Sequence, residues 1–350
     1  MGQLQSTIMR LDWRSILVGF AGAGVILFAL LWVVGIGDIL AQLRRAEPSV
    51  VAVLFGLVPL WLIAWGLCLH TVLRALGTPT SRIRSIIVFV AATFANQVTP
   101  FGQAGGEPIS AFLISEAADT EYENGLAAIA SVDTLHFFPS IGMAVVGIGL
   151  FVLRGFAFGR NLLVASAAVA ALLSGFVLSV VLGWKFRHRI EAAVLSALWP
   201  VVSRVGRAVP RITAPDRDGI ERRVEGFFDS IGRIAQNRRL VAVAVSFSFG
   251  GWLTLALCLW VSLASLGVTT PFVAMLVVLP VASIAGVFPV PGGLGGVETA
   301  FIVMIVSTTG VATTAATAAV IIYRGVTYWI PMLVGGGVAA VLMDTRYRGR

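Results

Sequence analysis

Two stretches of this chain repeat one pattern of residues that can do chemistry. Pro100-Phe-Gly-Gln-Ala-Gly-Gly-Glu107 and Pro291-Gly-Gly-Leu-Gly-Gly-Val-Glu298 both read P-x-G-x-x-G-x-E, and their glutamates lie 191 residues apart. Glycine allows backbone to leave helical geometry with positive φ and close approach. N–H groups freed at a helix start attract anions. Gly105, Gly106, Gly292, Gly293 and Gly295 are therefore candidates to hold an anionic group. Two readings stand for Glu107 and Glu298. Each can cap a short helix, satisfying free N–H groups and the dipole, and Pro108 marks a helix start beside Glu107. Each can equally line a polar cavity and bind a substrate cation or carry a proton.

A second pair keeps the same offset. Asp133 and Arg324 are also 191 residues apart, so equivalent positions carry opposite charges. An internal two-fold axis could bring them together as a buried pair. The alternative is that Arg324 binds a phosphate, because a guanidinium offers a planar, bidentate fork. His136 lies one helical turn from Asp133 on the same face and reads as a packing residue, a proton shuttle or a ligand. Asn96 and Gln97 precede the first glycine cluster, where their amides can bond freed backbone or a headgroup. No spacing resembles a metal centre, a cofactor loop or a set of catalytic residues. Cys68 and Cys258 sit in apolar runs as small hydrophobes.

The elements that position these residues belong to a membrane protein. Of the 350 residues 58% are hydrophobic and only 12% charged, about half the charge of a soluble domain. Mean hydropathy is +0.94. Six apolar runs are long enough to span a bilayer core: Ser15–Ile36, Ser49–Leu73, Gly125–Leu153, Asn161–Trp184, Leu240–Leu266 and Thr313–Met343, the last expected to kink at Pro331. Two more apolar regions, Ser85–Ser115 and Pro271–Ser307, are broken midway by the glycine motifs, and each half is short. They read as re-entrant hairpins, entering and leaving on the same side, with an ordinary pair of short helices as the alternative.

The arginines set the orientation. With the N-terminus inside, 20 of the 25 basic residues fall on the cytoplasmic side, four fall outside, and Arg324 stays in the membrane. The net charge of +8 thus reports topology, and a nucleic-acid partner is excluded. Both termini are expected in the cytoplasm. Lys185–Arg239, with 12 basic and six acidic residues, reads as a basic amphipathic insertion on anionic headgroups or a partner site.

Leu67–Gly77 also aligns with Leu257–Gly267, identical at six of 11 positions. The chain is therefore read as one membrane domain, 1–350, built of repeat 1 (15–153) and repeat 2 (161–343), with the insertion at 185–239. Three spans, an odd number, separate the hairpins, so the second enters from the opposite face. The fold class is an all-α polytopic membrane protein with an inverted-topology repeat, about six full spans and two re-entrant hairpins, an architecture of transporters.

The segments Asn96–Glu107, Phe288–Glu298 and Tyr323-Arg324 resemble the lysylphosphatidylglycerol synthase transmembrane region, also called the flippase-like domain family. The second motif matches at Pro289, Pro291, Gly292, Gly293, Gly295 and Glu298. The first departs: many members place an arginine three or four residues after the glutamate, where this chain has Ser110 and Ala111. The resemblance implies movement of a lipid headgroup between leaflets of the plasma membrane, with a phospholipid or a polyprenyl-phosphate sugar as cargo. Its partners would be membrane lipids with anionic headgroups and a separate lipid-modifying enzyme. The chain ends at Arg350, seven residues after the last expected span, so the aminoacyl-transferase half is expected to be absent and no enzyme activity is assigned. Two other functions remain open: an intramembrane transferase acting on a lipid carrier, and a small-solute secondary transporter. Neither the oligomeric state nor the lipid is legible.

Overall fold

A computed structural model describes residues 13–78, 80–99, 103–153, scattered positions between 174 and 196, 217–287 and 290–347. The expected span Asn161–Trp184, most of the basic segment before Arg217, and Pro100–Gly102 of the first motif lie largely or wholly outside the described residues. Among those described, every regular element is helical. They are α1 (Trp13–Val34), α2 (Ile36–Leu43), α3 (Pro48–Ala75), α4 (Arg82–Val98), α5 (Gln103–Ala118), α6 (Tyr122–Leu153), α7 (Arg217–Gln236), α8 (Arg238–Ala264), α9 (Phe272–Ser283), α10 (Gly296–Thr309), α11 (Thr313–Arg324) and α12 (Ile330–Tyr347). Among the described residues five helical stretches are long and apolar enough to cross a bilayer, or six if α1 and α2 count as one bent span. The chain is an all-α polytopic membrane protein.

The first apolar run is not one straight span. It turns by 86° at Gly35, whose φ of 101° is open to glycine but strained for other residues.

Antiparallel α3 and α8 form the central seam. At one end Glu47 N–H donates to Ser265 O at 2.8 Å; midway the Trp65 indole donates to Ser248 O at 3.2 Å. Gly251 leaves room for that indole, since a Cβ there would overlap its ring. The segments aligned by sequence end in the same way. Gly77 (φ 79°) and Gly267 (φ 73°) are both left-handed. Thr78 N–H reaches back to Leu73 O and Val268 N–H to Leu263 O, at 3.1 and 3.2 Å. This is the glycine-terminated cap that satisfies the last carbonyls of a helix.

From those two ends the halves continue in parallel fashion. Helix α4 starts beside the end of α3, and α9 beside the end of α8, so the two hairpins begin at opposite ends of the seam. Helices α4 and α5 fold back on each other, with the Ser110 hydroxyl 3.4 Å from Asn96 Oδ1. In the second hairpin α9 runs into a 3₁₀ turn (Ile284–Val287), and a second 3₁₀ turn (Pro291–Gly293) precedes α10. The packing partners match. Helix α4 lies on α12 and α9 on α6, while α5 lies on α6 and α10 on α11. One feature departs from the expected pair of short arms: Pro291–Thr309, with 19 residues, is by length and composition sufficient to cross a bilayer.

The expected kink at Pro331 takes the form of a π-helical stretch, Gly325–Trp329, between α11 and α12. Proline lacks an N–H and its ring displaces the carbonyl four residues back, here that of Thr327. From the basic segment, α7 lies against the start of α6. Arg223 pairs with Glu123 at 3.1 Å, and Ser230 and Arg233 bond Asn124 at 2.8 and 3.2 Å.

Candidate functional site

The second glycine motif has three positive-φ glycines set around Leu294, which has φ −54°. Gly292, Gly293 and Gly295 have φ of 57°, 65° and 86°. Gly292 also lies against the Tyr328 ring, which a Cβ at that position would penetrate, so both torsion and space demand glycine there. These glycines end where α10 begins. Gly295 N–H donates to Glu298 Oε2 at 2.5 Å, the backward half of a capping box.

The other oxygen of Glu298 is equally engaged. Arg324 Nε donates to Oε1 at 2.6 Å. Glu298 therefore caps α10 with one oxygen, as the capping reading expected, and pairs with Arg324 through the other. Arg324 Nη2 donates to Gly292 O at 3.0 Å, and the guanidinium lies 4.5 Å from the centre of the Tyr328 ring. The arginine and glutamate side chains are 15% and 5% exposed, so the ion pair is largely shielded from solvent. Nη1 alone makes no hydrogen bond among the described residues.

This cluster also joins the hairpins. The Tyr328 hydroxyl donates to Gln97 O at 3.1 Å, near the tip of the first hairpin, and α4 packs on the Pro291–Gly293 turn. In the first hairpin Gly106 sits so close to Asn96 that any Cβ would overlap it. Glu107, just beyond, faces Asp133 of α6 within hydrogen-bonding range. Asp133 Oδ2 is itself buried with no hydrogen-bond partner.

Arg324 and Asp133 do not pair. Arg324 bonds Glu298, and Asp133 lies beside Glu107. The same 191-residue offset relates the two pairs in sequence, one a salt bridge and the other two acids. The expected bidentate phosphate grip is correspondingly constrained, because two of the three guanidinium nitrogens of Arg324 are already engaged.

His136 is elsewhere. Its ring stacks on Trp65 at 4.1 Å and Nδ1 lies 2.5 Å from Ser248 Oγ, in the packed seam between α3, α6 and α8. Its surroundings are those of a packing residue. Gly105 lies in the first turn of α5, half-buried, and Asn96 is committed to the hairpin contact with Ser110.

Tyr328 is the site residue that the sequence reading missed. Its signal was present, since it stands four positions after Arg324 and an aromatic ring there shares a helix face with the cation. Among the described residues no group of three or more His, Cys, Asp or Glu side chains is arranged to hold a metal ion.

Comparison with known proteins agrees with this architecture. A UPF0104 membrane protein of Methanothermobacter thermautotrophicus is 26% identical over 333 residues, covering 93% of each chain. A second from the same organism is 25% identical over 329 residues, covering 91% of this chain and 92% of the relative. One from Pyrococcus horikoshii is 22% identical over 313 residues, covering 88% and 91%. Residues 16–335, which include both glycine motifs, the Glu298–Arg324 bridge and the seam, match the family described as the lysylphosphatidylglycerol synthase TM region, and the chain belongs to that family.

Proposed function

We propose that this protein moves a phosphate-bearing lipid between membrane leaflets. The observation that carries the reading is the shielded Arg324–Glu298 bridge, held between the positive-φ glycines and the tip of the opposite hairpin. An ion pair within a membrane is expensive and usually marks a substrate path. Here its cation has one uncommitted nitrogen, and its anion also caps a helix. An arriving phosphate would bond Nη1 first and then compete with Glu298 for the rest of the fork. The Glu107–Asp133 pair would carry a cationic headgroup or a proton in the other half. Membership of a lipid-synthase membrane-region family supports a lipid as cargo.

The hairpins act as re-entrant arms of an inverted repeat, 15–153 and 161–343, set in the plasma membrane with both termini cytoplasmic. Their start at opposite ends of the seam and the matched packing of the two halves support this topology. Single cysteines at positions 120 and 310 should react with an impermeant maleimide from opposite sides of oriented vesicles. Labelling from one side only would overturn the inverted arrangement.

The decisive measurement of function is leaflet-resolved transport in proteoliposomes. Fluorescent phosphatidylglycerol, lysyl-phosphatidylglycerol and a short polyprenyl-phosphate sugar are offered separately, and loss of signal to an impermeant quencher is followed over time. At least one should cross ten-fold faster than in protein-free vesicles. Equal rates for all three with and without protein would defeat the proposal.

A further inference from the structure

A cavity lies away from the glycine motifs, where α3 ends and α4 and α8 begin. It encloses about 620 Å³. Arg74, Arg82 and Arg239 line it together with His70, and no acidic residue does. Its remaining wall is apolar and includes Leu67, Val243 and Phe247, with Val243 on the outward face of α8 at 39% exposure.

Among the described residues no acidic side chain neutralises this concentration of charge. Arg74, in the last turn of α3, complements the negative end of its helix. Arg82 and Arg239 do the reverse: they stand in the first turns of α4 and α8, where a helix end is already positive and neither first turn holds an acid. Among the described residues none of the three makes an ion pair. The Ser81 and Asn237 side chains cap the two helices at 3.2 Å each, so these ends are ordered without help from the arginines. Three unpaired guanidiniums and two helix N-termini thus converge on one hollow, and that combination selects an anion.

The apolar wall decides which anion. A soluble phosphate would gain nothing from Leu67, Val243 and Phe247, and a nucleic acid cannot reach a wall that runs along a membrane helix. A lipid fits both parts, with its phosphate among the arginines and its first methylenes on α8. The volume is within the range of pockets that enclose small ligands. We infer that this cavity is a binding site for an anionic phospholipid of the leaflet at this end of the protein, separate from the Arg324–Glu298 site. On the proposed topology that leaflet is cytoplasmic, and the site would hold cargo or a regulatory lipid beside the first hairpin.

The test uses the full chain in a neutral detergent with dioctanoyl-phosphatidylglycerol as probe, binding being read by native mass spectrometry. The three arginines are exposed, so Arg74→Gln/Arg82→Gln/Arg239→Gln should melt like wild type. It should bind the probe at least ten-fold more weakly than wild type. Val243→Ser/Phe247→Ser should weaken the lipid several-fold, and inorganic phosphate at equal concentration should fail to displace it. Unchanged binding in a folded triple-glutamine variant, or displacement by inorganic phosphate, would overturn the inference. Its failure is separable from that of the transport reading: a protein that binds the probe at this cavity and moves no lipid retains the site and loses the proposed function.

Discussion

Arg324→Met should abolish lipid flux and destabilise the protein by about 3–5 kcal/mol, the usual consequence of stripping one partner from a buried ion pair. The cause is Glu298. Its Oε1 accepts from Arg324 at 2.6 Å and its side chain is 5% exposed, so the substitution strands a charge inside the protein. Arg324→Lys keeps the charge but cannot reach Oε1 and Gly292 O with a fixed fork, and it should recover stability in part and flux hardly at all. Removing both charges, as Arg324→Met/Glu298→Met, should restore much of the stability lost in either single variant and none of the transport. Thermal melting in detergent and leaflet-resolved flux are measured on all four proteins. Normal flux in a folded Arg324→Met protein would remove the arginine from the transport mechanism.

Asp133→Arg should give a folded protein with flux reduced a hundred-fold or more. The substitution gives Glu107 an arginine at the same 191-residue offset that relates it to the Glu298–Arg324 pair. A new bridge between Glu107 and the introduced guanidinium would be compensated electrostatically and should cost little stability. It would also replace a pair of acids, able to hold a proton or a cation, with a neutral clamp. Asp133→Asn separates the two effects by removing the second acid without adding a cation. Flux at wild-type level in a folded Asp133→Arg protein would show that the acids are not needed as a pair.

The large features were legible in the sequence because lipid constrains them so strongly. Apolar runs longer than a bilayer core placed α3, α6 and α8 within a few residues, and the left-handed ends at Gly77 and Gly267 fit the alignment around them. The break in each hairpin was legible because proline and glycine disrupt a helix regardless of context. What the sequence could not give was partnership. An offset of 191 says that Asp133 and Arg324 are equivalent, and equivalence is a different property from proximity. Arg324 lies beside Glu298 and Asp133 beside Glu107 instead. Gly35 was unreadable for a related reason: glycine permits a left-handed turn, but only packing decides whether the chain takes one.

The wide turn at Gly325–Trp329 sets a phase between two surfaces of a single helix. Ahead of it is Arg324, fastened to Glu298 and Gly292; beyond it, Gly335 and Gly336 lie flush against Val90 and Phe94 of the first hairpin. An ordinary α-helix advances about 100° per residue. Deleting one residue from this stretch would rewind the turn and swing the glycine face a quarter-turn or more away from Phe94. The helix thus works as a keyed shaft, with the bulge holding the two keyways in alignment. On that geometry the length of these five residues matters to the register of the two faces as much as their identity does.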